Sequence, residues 1–377
     1  MITRFYAVRT AFFFVVLIVC VQVPGALGQQ TSASSGMTST GSDATAPASA
    51  QQENGSGATS QKSAPEKSRS SMVVENWSVL PVEHVPPQYL PGETERLDTA
   101  NTPEFTRDIV QAQWRDHDPI DLYVIRPKGI EKPPVILYLY SYASKTTDHY
   151  KSFALDKLLT QYGFAAVGFE SALTGDRYHD VPQRKWFVSE LQQSLGSTVH
   201  DVQLILDYLE KRGDVDMTRV GMFGDGSGAT IAILAAAADP RIKVLDLLDP
   251  WGDWPDWFAK TGMVSEKERP DYLKPEFLDK VENLDPVKWL PELKTRRVRL
   301  QYILNGTGVT PRTAIERVQA AAPPNTKIVH YENKHEFLQN VGLKGTGFDW
   351  IKEQLGGTIP KPEPSAASAV NSAPAKN

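Results

Sequence analysis

The sequence predicts an α/β fold, in which a mostly parallel central sheet carries helices on both faces. Two observations lead to this prediction. Several short runs are apolar throughout, such as residues 135–140 and 164–169, which is typical of strands buried on both faces of a sheet. Residues 197–211 instead repeat their apolar side chains at helical spacing, and segments of the two kinds alternate. Strands that alternate with helices along a chain form parallel sheets.

The elements follow one another regularly along the chain. The first two predicted strands, 105–114 and 120–127, flank a turn and predict an N-terminal antiparallel hairpin. The segment 251–296 follows the sixth strand and is too long for a plain connection between two strands. We therefore expect an inserted helical lid or cap there. The later strands are predicted at 135–140, 164–169, 220–223, 242–248, 298–304 and 327–331, and the helices at 197–211, 229–238, 311–321 and 347–355.

The composition of the chain excludes several classes of protein. Of 377 residues, 41% are hydrophobic and 23% are charged, which suits a soluble globular protein and excludes a fully disordered or multi-span membrane chain. Lysine and arginine number 40 against 45 acidic residues, so the basic surplus of a nucleic-acid-binding protein is missing. We therefore expect no nucleic acid among its partners.

Metal and dinucleotide sites are not expected either. Cys20 is the only cysteine, which excludes an intramolecular disulfide and any zinc site built from several cysteines. The 7 histidines are scattered without a metal-binding pair, and the sequence has no Rossmann glycine fingerprint. The sequence thus predicts neither a metal nor another cofactor.

The N-terminal 28 residues have the layout of a secretory signal peptide. Arg4 and Arg9 precede an apolar stretch at residues 11–21, and a small-residue cleavage site follows at 26–28. The protein would then be secreted or periplasmic, with no stable membrane span after cleavage. Alternatives are an uncleaved N-terminal membrane anchor, which would suit a surface scaffold, and lipid attachment at Cys20.

The remaining chain divides into three parts by composition. Residues 29–71 are rich in Ser, Ala and Gly, and the tail 357–377 is similar. Such segments cannot bury enough apolar area to offset the entropy lost on ordering, so both are predicted to be disordered. This leaves 72–356 as the folded domain.

The most specific signal is the sequence Gly-Asp-Gly-Ser-Gly at residues 224–228, where a predicted strand runs directly into a helix. This turn resembles the G-x-S-x-G nucleophile elbow of the α/β-hydrolase superfamily. The resemblance covers about 105–355, includes the Lys-His-Glu-Phe sequence at 334–337, and is closest to the dienelactone hydrolase, acetyl xylan esterase and prolyl-oligopeptidase-like branch. It implies an α/β-hydrolase fold and serine-type hydrolysis of ester or peptide bonds.

The turn departs from the family pattern at its apex. Aligning Gly224 and Gly228 with the two family glycines puts Gly226 at the nucleophile position and Ser227 one residue later. Ser227 would act as a displaced nucleophile if the turn were rebuilt by one residue, which glycines on both sides would permit. The alternative is a catalytically inactive relative that keeps the fold and binds a small molecule, a peptide or a protein partner.

The resemblance implies a base and an acid for the hydrolytic reaction. His335 follows the last strand, where the family carries its general base. Asp249 follows the sixth strand, which is one family position for the acid. Ser227, Asp249 and His335 would then keep the family's chain order of nucleophile, acid and base.

The resemblance also implies where the oxyanion would be held. Backbone amides near Ser141, Tyr142 and Ser227 would hold the oxyanion, and Asp225 and Gly226 are the elbow residues beside them. The family usually has His-Gly where Ser141 and Tyr142 stand. The tyrosine would crowd the approach, although its hydroxyl could itself donate a hydrogen bond.

Two further groups of residues are weaker candidates for a substrate pocket. Arg177 and His179 lie on a loop expected to cross the carboxyl edge of the sheet, where they could bind an anionic substrate. The alternative for this loop is a solvated surface. Trp251 and Trp254 begin the predicted lid and could cover an apolar pocket or stack on sugars, the alternative being packing within the lid itself.

Overall fold

The computed structural model describes residues 75–82, 96–115, 118–139, 153–169, 171–172, 190–306, 309–343 and 347–356. All of these residues belong to one compact unit. The predicted signal peptide with Cys20, the predicted linker and the predicted C-terminal tail lie outside them, so these assignments stay predictions. No helix in the described ranges has both the length and the apolar character needed to cross a membrane.

The described residues form one mixed sheet whose strands lie side by side in the order β1-β2-β3-β5-β4-β6-β7-β8-β9. From β5 to β9 all neighbours in this order are parallel, whereas β1, β2 and β3 pair antiparallel with their neighbours. The mostly parallel sheet predicted from the sequence is confirmed. The strands are β1 Arg96–Asn101, β2 Phe105–Arg115, β3 Asp118–Pro127, β4 Pro134–Leu139, β5 Ala165–Phe169, β6 Asp216–Asp225, β7 Ile242–Leu248, β8 Arg297–Ile303 and β9 Lys327–Tyr331.

Helices connect the strands of the parallel part, as the alternating pattern predicts. The longest of them precedes β6 and ends at Gly213, whose φ of 74° is the left-handed conformation that glycine adopts without strain. The helices are α1 Phe153–Thr160, α2 Leu191–Arg212, α3 Ser227–Ala238, α4 Trp254–Lys260, α5 Arg269–Tyr272, α6 Pro275–Val281, α7 Pro286–Trp289, α8 Arg312–Ala321, α9 Lys334–Phe337 and α10 Asp349–Leu355, with short 3₁₀ turns at Glu282–Leu284 and Leu290–Glu292 and a π-helical segment at Leu338–Leu343.

The sheet has an apolar core on each of its faces. Alternate residues of β4 separate into the two cores, with Leu137 in one and Ile136 in the other. The first core includes the apolar faces of α2 and α3, and the second includes Ile351 of α10. Because every residue of β4 and β5 is buried, these strands show the continuous apolar runs from which they were predicted.

Four elements were not predicted from the sequence, namely β1, α1, α9 and the π-helical segment. Strand β1 has the polar sequence RLDTAN and no apolar alternation, so only its pairing with β2 makes it a strand. Helix α1 was not predicted either. Helix α2 was predicted, but it begins six residues before its predicted start. The early turn of α2 contains Gly196, where a Cβ would lie 2.4 Å from the carbonyl oxygen of Trp77. This glycine allows a neighbouring segment to pack closely and does not end the helix.

That neighbouring segment is the N-terminal strap, residues 75–82, which lies along α2. Leu80 is buried, and Gln203 of α2 donates to the Leu80 carbonyl oxygen at 2.7 Å. His200 contacts Glu75 at 2.8 Å through Nδ1 and the carbonyl oxygen of Val79 at 2.9 Å through Nε2. Both ring nitrogens of His200 thus contact oxygen atoms of the strap.

The segment expected to be a lid or cap, residues 251–296, consists of short helices and 3₁₀ turns with an aromatic interior. Trp254 and Trp257 are almost completely buried and meet edge to face with their ring centroids 5.8 Å apart. The carboxylate of Asp285 accepts hydrogen bonds from the backbone amides of Asp253 and Trp254, each at 2.9 Å. These helices contact α2, α3 and α8, so the insertion packs on the helical layer at one face of the sheet.

Candidate active site

Strands β6, β7 and β8 end beside one another at the carboxyl edge of the sheet, where α/β proteins bind their ligands. Asp225 is the last residue of β6 and is aligned with Leu248, the last residue of β7. The backbone amide of Gly226 donates to the Leu248 carbonyl oxygen at 2.9 Å. The turn after β6 is thus tied to the end of β7.

The chain reverses sharply at Gly226. Its φ of 53° and ψ of −116° match the first central position of a type II′ turn, where glycine is strongly preferred. Gly224 permits the close packing of this turn, because a Cβ on it would lie 2.5 Å from the Gly228 carbonyl oxygen and from the Ala229 amide nitrogen. Two glycines therefore carry out the strand-to-helix reversal, and the residue at its apex has no side chain.

Ser227 is the first residue of α3 and is fully buried. Helix α3 starts directly after the apex, with the Thr230 amide donating to the Gly226 carbonyl oxygen at 3.1 Å. In the structure the apex is thus Gly226, and the serine lies one position inside the helix.

Asp249 follows β7 in a left-handed conformation, with φ of 46°, which is uncommon for a residue other than glycine. Its amide donates to the Gln301 carbonyl oxygen at 2.8 Å, and its carboxylate accepts from the Ile303 amide at 3.0 Å. Both contacts are to β8, so the side chain is fixed between two strand ends. Burial raises the pKa of Asp249 to about 7, although the hydrogen bond from Ile303 opposes this shift.

Asp225 and Asp249 form an acidic pair at this edge. Burial raises the pKa of Asp225 well above its usual range, and the charge of Asp249 raises it further. The ammonium group of Lys334 opposes the shift. Burial and the neighbouring carboxylate of Asp249 thus both disfavour the ionised form of Asp225.

His335 lies on α9, just after β9. The side chain of Asn333 caps this helix by accepting a hydrogen bond from the Glu336 amide, and Phe337 packs against Tyr331 with ring centroids 5.0 Å apart. The imidazole is exposed, and its Nε2 contacts the side-chain amide of Gln339 at 2.9 Å. In the described part of the chain no hydrogen bond joins His335 to Asp249.

The structure thus brings Asp225, Gly226, Ser227 and Asp249 together at adjacent strand ends, with Lys334 close by. Lys334 was not predicted as a site residue, although it stands directly before the predicted base. Four predicted site residues lie outside the described residues, namely Ser141, Tyr142, Arg177 and His179.

The two tryptophans predicted for a substrate pocket are 2% and 1% exposed, for Trp251 and Trp254 respectively. The indole nitrogen of Trp254 donates to the Leu284 carbonyl oxygen at 3.0 Å, and Trp251 packs on Trp257 at 5.2 Å between ring centroids. Both rings contribute to the interior of the insertion. Among the described residues no group of three or more His, Cys, Asp or Glu side chains could hold a metal ion.

Solved structures share this architecture. Acetyl xylan esterase 1 from Thermoanaerobacterium sp. JW/SL YS485 superimposes with a TM-score of 0.52 at 15% sequence identity, over 68% of this chain and 90% of the esterase. The acetyl xylan esterase from Paenibacillus sp. R4 gives a TM-score of 0.53 at 17% identity, over 69% of this chain and 88% of the other. The protein has an α/β-hydrolase fold. This confirms the fold that the resemblance of the elbow implies.

Sequence comparisons relate this α/β-hydrolase-fold protein to hydrolases. The family model of the X-Pro dipeptidyl-peptidases (S15 family) matches residues 116–274. The Bacillus subtilis (strain 168) protein YtaP, whose name describes it as a hydrolase, is 26% identical over 164 residues, or 39% of this chain. The 2,6-dihydropseudooxynicotine hydrolase of Paenarthrobacter nicotinovorans is 22% identical over 251 residues, or 64% of this chain. The chain spans 55% of the first relative and 63% of the second.

Proposed function

We propose that this α/β-hydrolase-fold protein binds a small molecule or peptide at the carboxyl edge of its sheet without serine catalysis. The observation that carries the proposal is the apex of the elbow, which is occupied by Gly226. A nucleophile must project from this apex to reach a carbonyl carbon held against the oxyanion donors. Glycine has no hydroxyl group, so the covalent step has no nucleophile at the position that would supply it.

The surroundings of Ser227 support the same proposal. Its side chain is buried at the start of α3, and a substrate could reach it only if the turn opened. The carboxylate of Asp249 is held by the Ile303 amide, and His335 contacts Gln339. A serine is activated when acid, base and nucleophile are hydrogen-bonded in series, and these contacts differ from that arrangement.

The acidic pair gives this edge a means of binding a ligand. A carboxyl group with a pKa of about 7, as at Asp249, can donate a hydrogen bond when protonated and accept one when ionised. Asp225 is partly exposed at the same edge and would face the ligand. We propose that these two carboxyl groups orient the ligand beside Gly226, in the space that a nucleophile side chain would otherwise fill.

A second candidate is hydrolysis of an ester or peptide bond by Ser227, with His335 as the base and Asp249 as the acid. The hydrolase names of the relatives and the family match over 116–274 favour it. In this reaction His335 would accept the Ser227 proton while the serine oxygen attacks the carbonyl carbon, and would then protonate the leaving group. Catalysis by Ser227 requires α3 to begin one residue later than it does in the structure, so that the serine stands at the apex.

A fluorophosphonate probe distinguishes the two candidates, because it forms a covalent adduct only with an activated serine. We expect the wild-type protein and Ser227→Ala to remain unlabelled. Gly226→Ser recreates G-x-S-x-G and would show whether a serine at the apex is reached by the probe, with Gly226→Ala as its matched control. Each variant must first give the circular dichroism spectrum of the folded protein, since a side chain at φ of 53° is strained.

An adduct mapped to Ser227 in the wild-type protein, and lost in His335→Ala, would contradict ligand binding without catalysis and establish the displaced nucleophile. Absence of an adduct in the folded wild-type protein would instead remove serine hydrolysis from consideration. Direct binding measurements with small esters and peptides would then identify the ligand.

A further inference from the structure

A cavity lies beside the edge strand β9. It has a volume of about 380 Å³ and is open to solvent on one side. Its walls come from β8, β9, α9, the π-helical segment and the turn before α10. The lining residues include Arg299, Lys327, Val329, Tyr331, Glu336 and Gly347. Residues Gly226, Asp249 and His335 are not among them, so this cavity is separate from the candidate active site.

A row of charged side chains crosses the sheet at the floor of this cavity. Asp246 of β7 is aligned with Arg299 of β8, which is aligned with Lys327 of β9. Aligned residues of neighbouring strands point to the same face, so the three side chains are neighbours. The row contains one carboxylate and two cations, which leaves one positive charge in excess.

The guanidinium of Arg299 is held rigidly in this row. Its Nε donates to Asp246 Oδ1 at 2.8 Å, its Nη2 donates to Asp246 Oδ2 at 2.5 Å, and Nη2 also donates to the Gly347 carbonyl oxygen at 3.2 Å. The indole of Trp350 lies 5.0 Å from its Cζ. In the described part of the chain Nη1 has no hydrogen-bond partner, although Arg299 is only 8% exposed and lines the cavity. Two N–H donors of a fixed, buried guanidinium thus remain for a ligand.

Lys327 adds a second cation next to this donor. It is exposed, and no carboxylate pairs with it among the described residues. Glu336 is a carboxylate that also lines the cavity, and it accepts a hydrogen bond from the Glu332 amide at 2.6 Å. Among the described residues no ion pair joins Glu336 to Arg299, whose partner is Asp246, or to Lys327.

We propose that this cavity binds a small organic anion, whose carboxylate or phosphate group lies between Arg299 Nη1 and Lys327 Nζ. Both groups present planar or tetrahedral arrays of anionic oxygens, which charged N–H donors bind with short, strong hydrogen bonds. Val329 and Val341 provide apolar walls for the rest of the molecule. The cavity would bind this anion whether or not the elbow is catalytic, because the two sites share no lining residue.

Isothermal titration calorimetry tests the proposal, with inorganic phosphate as one probe and acetate as the other. Both are titrated into the full-length folded protein against sodium chloride of equal ionic strength. We expect the wild-type protein to bind one of the two probes, and the tighter one identifies the anionic group. Lys327→Gln should weaken that binding about tenfold, as should Arg299→Lys, which keeps the charge opposite Asp246 but loses the planar fork.

Lys280→Gln is the matched control, since Lys280 is an exposed lysine on α6, far along the chain from the cavity. It should bind the probe as tightly as the wild-type protein does. Equal weakening in Lys280→Gln and Lys327→Gln would mean that net charge alone attracts the anion, and would overturn the proposal. So would the absence of binding of either probe to the wild-type protein.

Discussion

Asp246 and Asp249 are three residues apart at the end of β7, yet their carboxylates have opposite surroundings. Asp246 is fully buried, which raises its pKa, but it contacts Arg299 and Gln301, and both oppose this shift by stabilising the carboxylate. Asp249 accepts one hydrogen bond, from the backbone amide of Ile303, and its neighbour Asp225 is another acid. The first carboxylate is paired inside the sheet, whereas no cation in the described part of the chain forms an ion pair with the second.

The difference separates a structural role from a functional one. A buried ion pair is maintained by its own contacts, and its loss is felt as a loss of stability. A carboxyl group without a cation opposes folding whenever it is ionised, so the rest of the fold must stabilise it. Groups of the second kind are concentrated at binding and catalytic sites. The contrast therefore favours the carboxyl edge at Asp225 and Asp249 as the site at which a ligand binds.

The largest effect is expected from Arg299→Met, which leaves the Asp246 carboxylate buried without its cation. Unpaired buried charges of this kind typically cost about 3–5 kcal/mol, so the free energy of unfolding should fall by about 4 kcal/mol. Urea denaturation at neutral pH measures this change. Arg297→Met is the control, because Arg297 is exposed at the start of the same strand. A loss of similar size in the control would show that the pair is not the cause.

A smaller loss is expected from Glu75→Gln, which weakens the contact between the N-terminal strap and α2. Burial would raise the pKa of Glu75, but hydrogen bonds from His200 and Arg115 lower it from 4.5 to about 2. A lowered carboxyl pKa stabilises the fold above pH 4.5, and the benefit is lost as the pH falls towards 2. The variant should be less stable by about 2 kcal/mol at pH 7, and the difference should shrink below pH 4.

Thermal unfolding over a series of pH values measures the effect of Glu75→Gln. Glu276→Gln, a change at an exposed glutamate of α6, serves as the control. A difference from the wild-type protein that stayed constant from pH 7 to pH 3 would contradict the assigned role of the carboxylate.

The smallest effect, and one of opposite sign, is expected from Asp249→Asn. The folded protein prefers the protonated form of Asp249, so its stability falls as the pH rises from 3.8 to about 7. The asparagine oxygen can still accept from the Ile303 amide but carries no charge. The variant should therefore be more stable than the wild-type protein by about 1 kcal/mol at pH 8 and equal to it at pH 4.

Denaturation with guanidinium chloride at the two pH values checks this gain for Asp249→Asn. Asp279→Asn alters an exposed aspartate of α6 and should leave the free energy of unfolding unchanged at both. If Asp249→Asn destabilised the protein at pH 8, the carboxylate would be paired in solution and the contrast with Asp246 would not hold.

Much of the fold could be predicted from the sequence because burial imposes a pattern on it. The strands at 242–248 and 327–331 were predicted with the bounds that the structure gives. Strand β1 was not predicted, since its polar residues leave no apolar pattern and its partner β2 alone defines it. The start of α2 was also missed, because the reason for Gly196 is a contact with Trp77, which is distant in sequence.

The candidate site was less accessible to prediction. A motif of glycines and one serine locates the elbow, but the residue at its apex follows from the backbone angles of Gly226. The electrostatic link between Asp225, Asp249 and Lys334 depends on which strands are neighbours in the sheet. Sequence spacing carries no information about such a link, which is why Lys334 was missed while its neighbour His335 was singled out.

The docking of the strap on α2 has a consequence for how the chain is made. Its contact between Glu75 and His200 spans 125 residues of sequence. A ribosome adds about 5–20 residues per second, so about 6–25 s pass between the synthesis of Glu75 and the synthesis of His200. Strand β4 pairs with β5 on one side and with β6 on the other, so its second side stays unpaired until β6 has been synthesised. The N-terminal part of the domain is therefore made well before the segments that it contacts, so its contact surfaces stay uncovered during that interval and are open to chaperones and proteases.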